Sequence, residues 1–110
     1  LVESVIKDCI ENKTRTILDM GTGSGCIICA LCKNIANLTG TALDKSARAL
    51  KVANKNIKKF NLQDQIKTKH ADFATFKSDN KFDIIVIIWK AFLCNRLRRQ
   101  VLYTHLFRLA

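Results

Sequence analysis

The 110-residue sequence contains no proline, although average usage would supply about five. It also lacks a long apolar run, since the longest, residues 84–89, falls far short of the roughly 18 residues that a membrane-spanning helix needs. Residues 1–10 carry Glu3 and Asp8 and have neither the basic region nor the solid apolar stretch of a signal peptide. These absences argue against a secreted or membrane protein, so a cytoplasmic location is the expectation. The chain begins with Leu1 instead of Met, as a fragment would.

The composition is that of a folded domain. Hydrophobic residues make up 48% and charged residues 25% of the chain, which excludes the disordered and collagen-like classes. A length of 110 residues fits one domain.

Positive charge is concentrated near the end of the chain. The formal net charge is +10, and residues 1–89 hold 14 Lys and Arg against 9 acids, whereas residues 90–110 hold 5 against none. Lysine dominates the first part and arginine the second. The sequence therefore predicts two regions, a folded domain over 1–88 and an atypical basic tail over 89–110.

The five cysteines are odd in number and come without a secretory signal, so reduced thiols are expected instead of a disulfide framework. Three of them, Cys26, Cys29 and Cys32, are spaced as in the beginning of an iron–sulfur motif, but no fourth cysteine follows three residues later. On a helix, Cys26 and Cys32 lie about 9 Å apart along the axis, too far to share one metal ion comfortably. The prediction is no metal site and three small core residues.

The apolar pattern predicts alternating helices and strands. Helices are expected at residues 2–10, 26–35 and 46–60, the last with Ser46 as its cap and Leu50, Ala53, Ile57 and Phe60 facing inward. Strands are expected at 16–19, 39–44, 66–70 and 82–88. This order indicates a parallel, doubly wound α/β sheet. In the tail, leucines from Leu93 to Leu109 fit a helical stripe.

Three acids and a glycine series follow the strands, at the edge where open α/β sheets bind ligands. Asp19 precedes Gly21, Gly23 and Gly25, whose backbone can approach a ligand closely while the next helix N-terminus offers free amides. Asp44 is placed to accept the ribose hydroxyls of an adenosyl group, and Asp72 to meet the adenine amino group. Two structural alternatives stay open, namely that Asp44 caps its helix and that Asp72 merely ends a strand.

Residues 1–86 resemble the HemK (PrmC) family of glutamine methyltransferases, which act on peptide chain release factors. The resemblance is carried by TILDMGTGSGCI, ALDKSARALKVANKNIKKFNL, HADFATF and KFDIIV. It implies a Rossmann-like core that uses S-adenosylmethionine and a release factor as substrate. It also implies that the turn with Asp19 and Thr22 holds the methionine part of the cofactor, and that Phe73 joins Asp72 at the adenine.

The chain departs from this family after Val86. The family has Ser-Asn-Pro-Pro-Tyr there, whose Asn side chain and proline carbonyl hold the substrate amide, whereas this chain continues Ile87, Ile88, Trp89 and Lys90. No catalytic residue is therefore assigned. The loss of this motif coincides with the change from lysine to arginine along the chain. This suggests a reading-frame slip or a premature end in the coding sequence.

Three functions follow as hypotheses. The first is an amide methyltransferase completed by another chain, and the second is a cofactor-binding remnant without turnover. The third, a basic nucleic-acid-binding module, is disfavoured because the tail interleaves only Tyr103 and Phe107 with its arginines and carries no nucleic-acid motif.

Overall fold

A computed structural model describes residues 2–72, 74–77, 82–88 and 104–108. The elements are α1 Val2–Glu11, β1 Thr16–Met20, α2 Cys26–Asn34, β2 Thr39–Asp44, α3 Ala47–Lys59, β3 Ile66–His70, β4 Ile84–Ile88 and β5 Thr104–Arg108. The three helices and four strands expected within residues 1–88 are confirmed, with small shifts at their ends. Within the described ranges, no helix is both long and apolar enough to cross a membrane.

The strands form one sheet in the order β3-β2-β1-β4-β5. β1 to β4 run parallel, so the doubly wound α/β fold is confirmed. The order reverses at β1, because β2 and β3 lie on one side of it and β4 on the other. In open α/β sheets such a reversal creates a crevice at the carboxyl ends of the strands, and here the glycine turn that follows β1 stands at that point.

The main core lies between the sheet and the helices. Ile17 and Ile84 pair in register on β1 and β4, and neither is exposed to solvent. On the other side of β1, a Cβ on Gly40 would come within 2.7 Å of side-chain atoms of both Ile17 and Ile28. Glycine at position 40 thus lets α2 pack directly on the sheet.

The predicted two-faced character of α3 is confirmed except at its C-terminal end. The Ser46 hydroxyl accepts a 3.1 Å hydrogen bond from the Ala49 amide, and Leu50, Ala53 and Ile57 are buried. Phe60 was expected inside but is 39% exposed. It lies just past the last turn, with the ammonium group of Lys33 4.8 Å from its ring centroid.

The predicted tail helix is wrong at Thr104–Arg108, which forms a strand antiparallel to β4. Pairing with the backbone groups along the edge of β4 outweighs the helical spacing of the leucines, since an unpaired edge favours strand addition. The remainder of the tail prediction, at 89–103 and 109–110, lies outside the described residues.

A carboxylate ties β4 to β1 at the amino edge of the sheet. Asp83 Oδ2 accepts hydrogen bonds from the amides of Arg15 at 2.9 Å and Thr16 at 3.1 Å. The Asp83 amide in turn donates to Thr16 Oγ1 at 2.9 Å. These bonds fix the register of the two strands whose carboxyl ends flank the crevice.

Candidate functional site

The turn between β1 and α2 requires its glycines. Gly21, Gly23 and Gly25 have φ angles of 72°, 58° and 78°, a region that residues with side chains rarely adopt. A Cβ on Gly25 would also lie 3.3 Å from the Cβ of Ala53, so α3 packs closely against the start of α2. The alternating glycines therefore let the chain fold into a compact turn at the carboxyl end of β1.

Asp19 supports this turn from beneath. Its side chain is 3% exposed, and Oδ2 accepts a 2.7 Å hydrogen bond from the Thr22 hydroxyl. Both residues belong to the predicted site, and the structure brings them together. A buried carboxylate needs such donors because an unpaired buried charge is costly.

Asp44 links the turn to the end of β2. Its side chain is 5% exposed, with Oδ2 accepting from the Gly23 amide and Oδ1 from the Ser46 amide, both at 2.9 Å. One bond reaches back to the glycine turn and the other forward to the cap of α3. The residue that caps α3 is Ser46, so the alternative that Asp44 caps this helix is wrong, and Asp44 instead holds the amide of the cap residue and that of the glycine turn.

Backbone amides within the turn are engaged inside the chain. Those of Gly21 and Thr22 both donate to the Leu43 carbonyl at 2.8 Å, and that of Gly25 donates to the Thr22 carbonyl at 2.9 Å. With the Gly23 amide on Asp44, four donors of the turn hold its shape. Because these four amides already donate within the chain, a ligand at the turn would contact the backbone mainly through close packing.

Asp72 stands at the end of β3, next to the strand that carries Asp44. The amide of Ala71 donates to the Asp44 carbonyl at 3.1 Å, which places Asp72 one residue beyond the last bond between the two strands. Its side chain is exposed, and Oδ1 accepts a 3.0 Å bond from the Ala74 amide. The alternative that Asp72 ends a strand thus describes part of its role. Phe73 lies outside the described residues.

Two polar residues that the sequence analysis did not assign also hold this edge. Asn56 on α3 donates from Nδ2 to the Ser24 carbonyl at 2.8 Å, and His70 Nε2 lies 2.9 Å from the Lys45 carbonyl. Asn56 follows Ala53 by three residues and so shares the inward face of α3, which is the signal that could have found it. His70 carried no comparable signal.

The α2 cysteines are only partly as predicted. Cys29 and Cys32 are buried, but Cys26 is exposed, so the prediction of a core position is wrong for Cys26 because the first residue of α2 projects from the packed face. Burial raises the pKa of Cys32 to about 12, with further contributions from the thiols of Cys29 and Cys9. In the part of the chain that the structure describes, no three His, Cys, Asp or Glu side chains cluster as a metal site would.

The described site is therefore one edge of three adjacent strands. Hydrogen bonds join the glycine turn to Asp19 and Asp44, and Asp72 follows the end of the next strand, β3. The turn offers a backbone surface with little side-chain bulk, and carboxylates are acceptors for hydroxyl and amino groups. Such an edge suits a small molecule with hydroxyl and amino donors on an otherwise compact body.

Comparison with known proteins identifies relatives of this chain. The family model described as "Methyltransferase small domain" matches residues 2–88. A bifunctional methyltransferase of Rickettsia bellii is 36% identical over 85 residues, which cover 77% of this chain and 15% of that protein. A release factor glutamine methyltransferase of Streptococcus pneumoniae is 44% identical over 86 residues, covering 78% of this chain and 29% of that protein. The family resemblance seen in the sequence is thereby confirmed.

A solved structure shares the fold. It is a SAM-dependent methyltransferase from Thiobacillus denitrificans in complex with S-adenosyl-L-homocysteine, with a TM-score of 0.64 and 26% sequence identity. The similarity covers 73% of this chain and 32% of that one. The chain thus spans less than a third of the length of each of these three proteins.

Proposed function

Because this chain belongs to the methyltransferase small domain family, we propose that its glycine turn and strand ends bind S-adenosylmethionine. The observation that carries the proposal is the position of the turn at the reversal of strand order, joined there to Asp44 by the 2.9 Å bond from Gly23. A structurally similar methyltransferase is named as a complex with S-adenosyl-L-homocysteine, the demethylated form of the same molecule.

The residues present fit this cofactor chemically. The positive φ angles of Gly21, Gly23 and Gly25 leave a backbone cradle without Cβ atoms for the amino-acid part. Asp44 would accept from the ribose hydroxyls and Asp72, with Phe73, would meet the adenine. The distribution of acids along the edge thus parallels the polar groups of the cofactor.

The bound cofactor supplies an electrophilic methyl group on a sulfonium centre. The role of this chain is to hold and orient that donor, since alignment of the reacting groups accounts for much of the rate of such displacements. Asp19 and Thr22 act indirectly, by fixing the turn beneath the donor through their 2.7 Å bond.

We further propose that the acceptor of the parent activity is the side-chain amide of a glutamine in a peptide chain release factor. Support comes from the 44% identity to the Streptococcus pneumoniae enzyme, which bears that name, and from the family motifs around the glycine turn. The proposal concerns the family activity, of which this chain carries the donor-binding part.

The second candidate is a cofactor-binding protein without turnover, and the residues after Val86 favour it for this chain. A glutamine amide nitrogen is a poor nucleophile because its lone pair is delocalised, so it must be held by hydrogen bonds. Ile87 and Ile88 have no side-chain donors or acceptors, and Lys90 can only donate. We therefore propose donor binding as the activity of the chain itself.

Isothermal titration with S-adenosylmethionine tests this proposal. Asp44→Asn removes the carboxylate charge and should weaken binding by about 2 kcal/mol or more, which is roughly thirtyfold, because hydrogen bonds to a charged acceptor are strong. Asp72→Asn should weaken binding less, since Asp72 is exposed.

Asp64→Asn is the matched control, because Asp64 is an exposed acid in the loop before β3, at the opposite end of the strand. The Asp64→Asn variant should bind S-adenosylmethionine as tightly as the unmodified chain does. Thermal unfolding of each variant separates lost binding from lost folding. A well-folded unmodified chain that gives no binding heat at any concentration would overturn the proposal.

A further inference from the structure

Two cysteines in the first turn of α2 stand three residues apart and differ in their access to solvent. Cys26 is the first residue of the helix and is exposed, whereas Cys29 is 4% exposed. In dithiol–disulfide proteins, a Cys-x-x-Cys pair provides one accessible thiol for attack and a second thiol that completes the bridge. The structure thus places a solvent-accessible thiol about one helical turn before a buried thiol.

The spacing allows a bridge with a small adjustment. Side chains three residues apart on a helix have Cβ atoms about 5–6 Å apart, and a disulfide needs about 3.5–4.5 Å, so the turn must tighten by about 1–2 Å. The first turn of a helix can adjust because its first amides have no partners within the helix, and only the Cys29 amide, which donates to the Gly25 carbonyl at 2.9 Å, ties this stretch to the residue before it. Gly25, which precedes Cys26, contributes no side-chain cap that would resist the change.

Other contacts position the two sulfur atoms. The Ser24 hydroxyl lies 2.9 Å from Cys26 Sγ, and either group can donate the hydrogen bond. Burial raises the pKa of Cys29, and negative charge at Cys26 and Asp19 raises it further. The neutral thiol is therefore the favoured form of Cys29.

We propose that Cys26 and Cys29 form a reversible thiol–disulfide pair that reacts with low-molecular-weight disulfides. The proposal stands on the two cysteines alone and does not depend on cofactor binding. Closing the bridge would change the first turn of α2, which directly follows the glycine turn, and so would couple the thiol redox state to that turn.

The reaction balances with a small disulfide as the oxidant. The Cys26 thiolate attacks one sulfur, forming a mixed disulfide and expelling a thiolate, which takes up the proton that Cys26 gave to solvent. Cys29 then gives its proton to solvent and attacks Cys26 Sγ, which closes the protein disulfide and expels the second thiolate, and that thiolate takes up a proton in turn. Two protein thiols are oxidised by two electrons, and the small disulfide is reduced to two thiols.

Cys32 is not the expected partner. It is 2% exposed and lies six residues beyond Cys26, about 9 Å along the helix axis. A bridge between these two sulfur atoms would require unwinding α2, because disulfides tolerate Cα separations only up to about 7 Å.

Mass spectrometry of the folded full chain after treatment with glutathione disulfide tests the pair. The tryptic peptide 16–33 should lose two hydrogens, and its fragments should place the bridge between Cys26 and Cys29. Cys29→Ala should stop at a glutathione adduct on Cys26. Cys26→Ala should give neither product, and because Cys26 is exposed, this variant keeps the fold intact.

Cys32→Ala is the matched control and should still form the bridge. Circular dichroism confirms that each variant is folded. Accumulation of only the mixed disulfide in the unmodified chain, a bridge to Cys94, or a bridge that survives in Cys26→Ala would each overturn the proposal. Recovery of the free thiols with dithiothreitol establishes that the reaction is reversible.

Discussion

The carboxylate of Asp44 accepts a 2.9 Å hydrogen bond from the amide of Gly23, a residue 21 positions earlier in the chain. This bond joins the end of β2 to the turn that follows β1, across the point where strand order reverses. The acid proposed to bind the ribose thus also shapes the cradle for the rest of the cofactor. The proposed binding role of Asp44 and the folding of the turn thus depend on the same carboxylate.

Thr22→Val should destabilise the fold by about 1–3 kcal/mol. The substitution keeps the side-chain shape and removes the 2.7 Å donor to the buried carboxylate of Asp19, and a buried acceptor that loses a partner carries that cost. Urea unfolding measures the effect. Thr39→Val is the control, because Thr39 is exposed and the bond from its hydroxyl to the Arg15 carbonyl is long, at 3.4 Å. Equal losses in the two variants would contradict this account of Thr22.

Gly25→Ala should destabilise the fold by at least about 1 kcal/mol. Alanine at a φ of 78° is strained, and its Cβ would lie 3.3 Å from that of Ala53. The cost should be smaller in an Ala53→Gly background, where the tight 3.3 Å contact between the two Cβ atoms is gone and the Cα of residue 53, at 3.4 Å, is left in ordinary van der Waals contact. A double-mutant cycle of urea unfolding measures this coupling, and an additive result would show that the contact with α3 is unimportant.

Much of this edge could be predicted because its signals are local. The Ser46 cap and the inward positions Leu50, Ala53 and Ile57 are set by helical spacing, and the glycine series is set by the turn it must form. The hydrogen bond between Gly23 and Asp44 was not predictable, since it depends on two strands meeting in register.

Other features were missed for related reasons. Thr104–Arg108 pairs with β4 through backbone groups along a sheet edge, a distant contact that the leucine spacing of the tail does not encode. Cys26 is exposed although the start of α2 was predicted at the right residue, because helical side chains lean toward the preceding turn and no helical turn precedes Cys26. Phe60 lies just past the last turn of α3, so the helical spacing that predicts an inward position does not hold for it.

The stability of the chain should fall with alkaline pH, partly because of Cys32. In the unfolded chain this thiol ionises near its ordinary value of 9.0, whereas burial raises the folded pKa to about 12. Between these values the unfolded state binds fewer protons, so the free energy of unfolding decreases as pH rises. Urea unfolding should show a smaller decrease in Cys32→Ala. An identical pH dependence in both chains would remove Cys32 as a cause.

This chain alone should transfer no methyl group from radiolabelled S-adenosylmethionine to a purified release factor. Misplacing an acceptor by about 1 Å costs on the order of a hundredfold in rate, and Ile87 and Ile88 provide no polar grip for a glutamine amide. The release factor glutamine methyltransferase of Streptococcus pneumoniae serves as the positive control. Methyl incorporation above the blank without enzyme would contradict the prediction.

Nuclear magnetic resonance mapping of S-adenosylmethionine binding tests the central claim most directly. Titration into the isotope-labelled chain should shift the amide signals of residues 21–26, Lys45 and Asp72 at the carboxyl edge of the sheet. The signals of Arg15, Thr39 and Gln65 at the amino edge should stay in place. Shifts confined to the amino edge, or none at saturating cofactor, would contradict a cofactor site over the glycine turn.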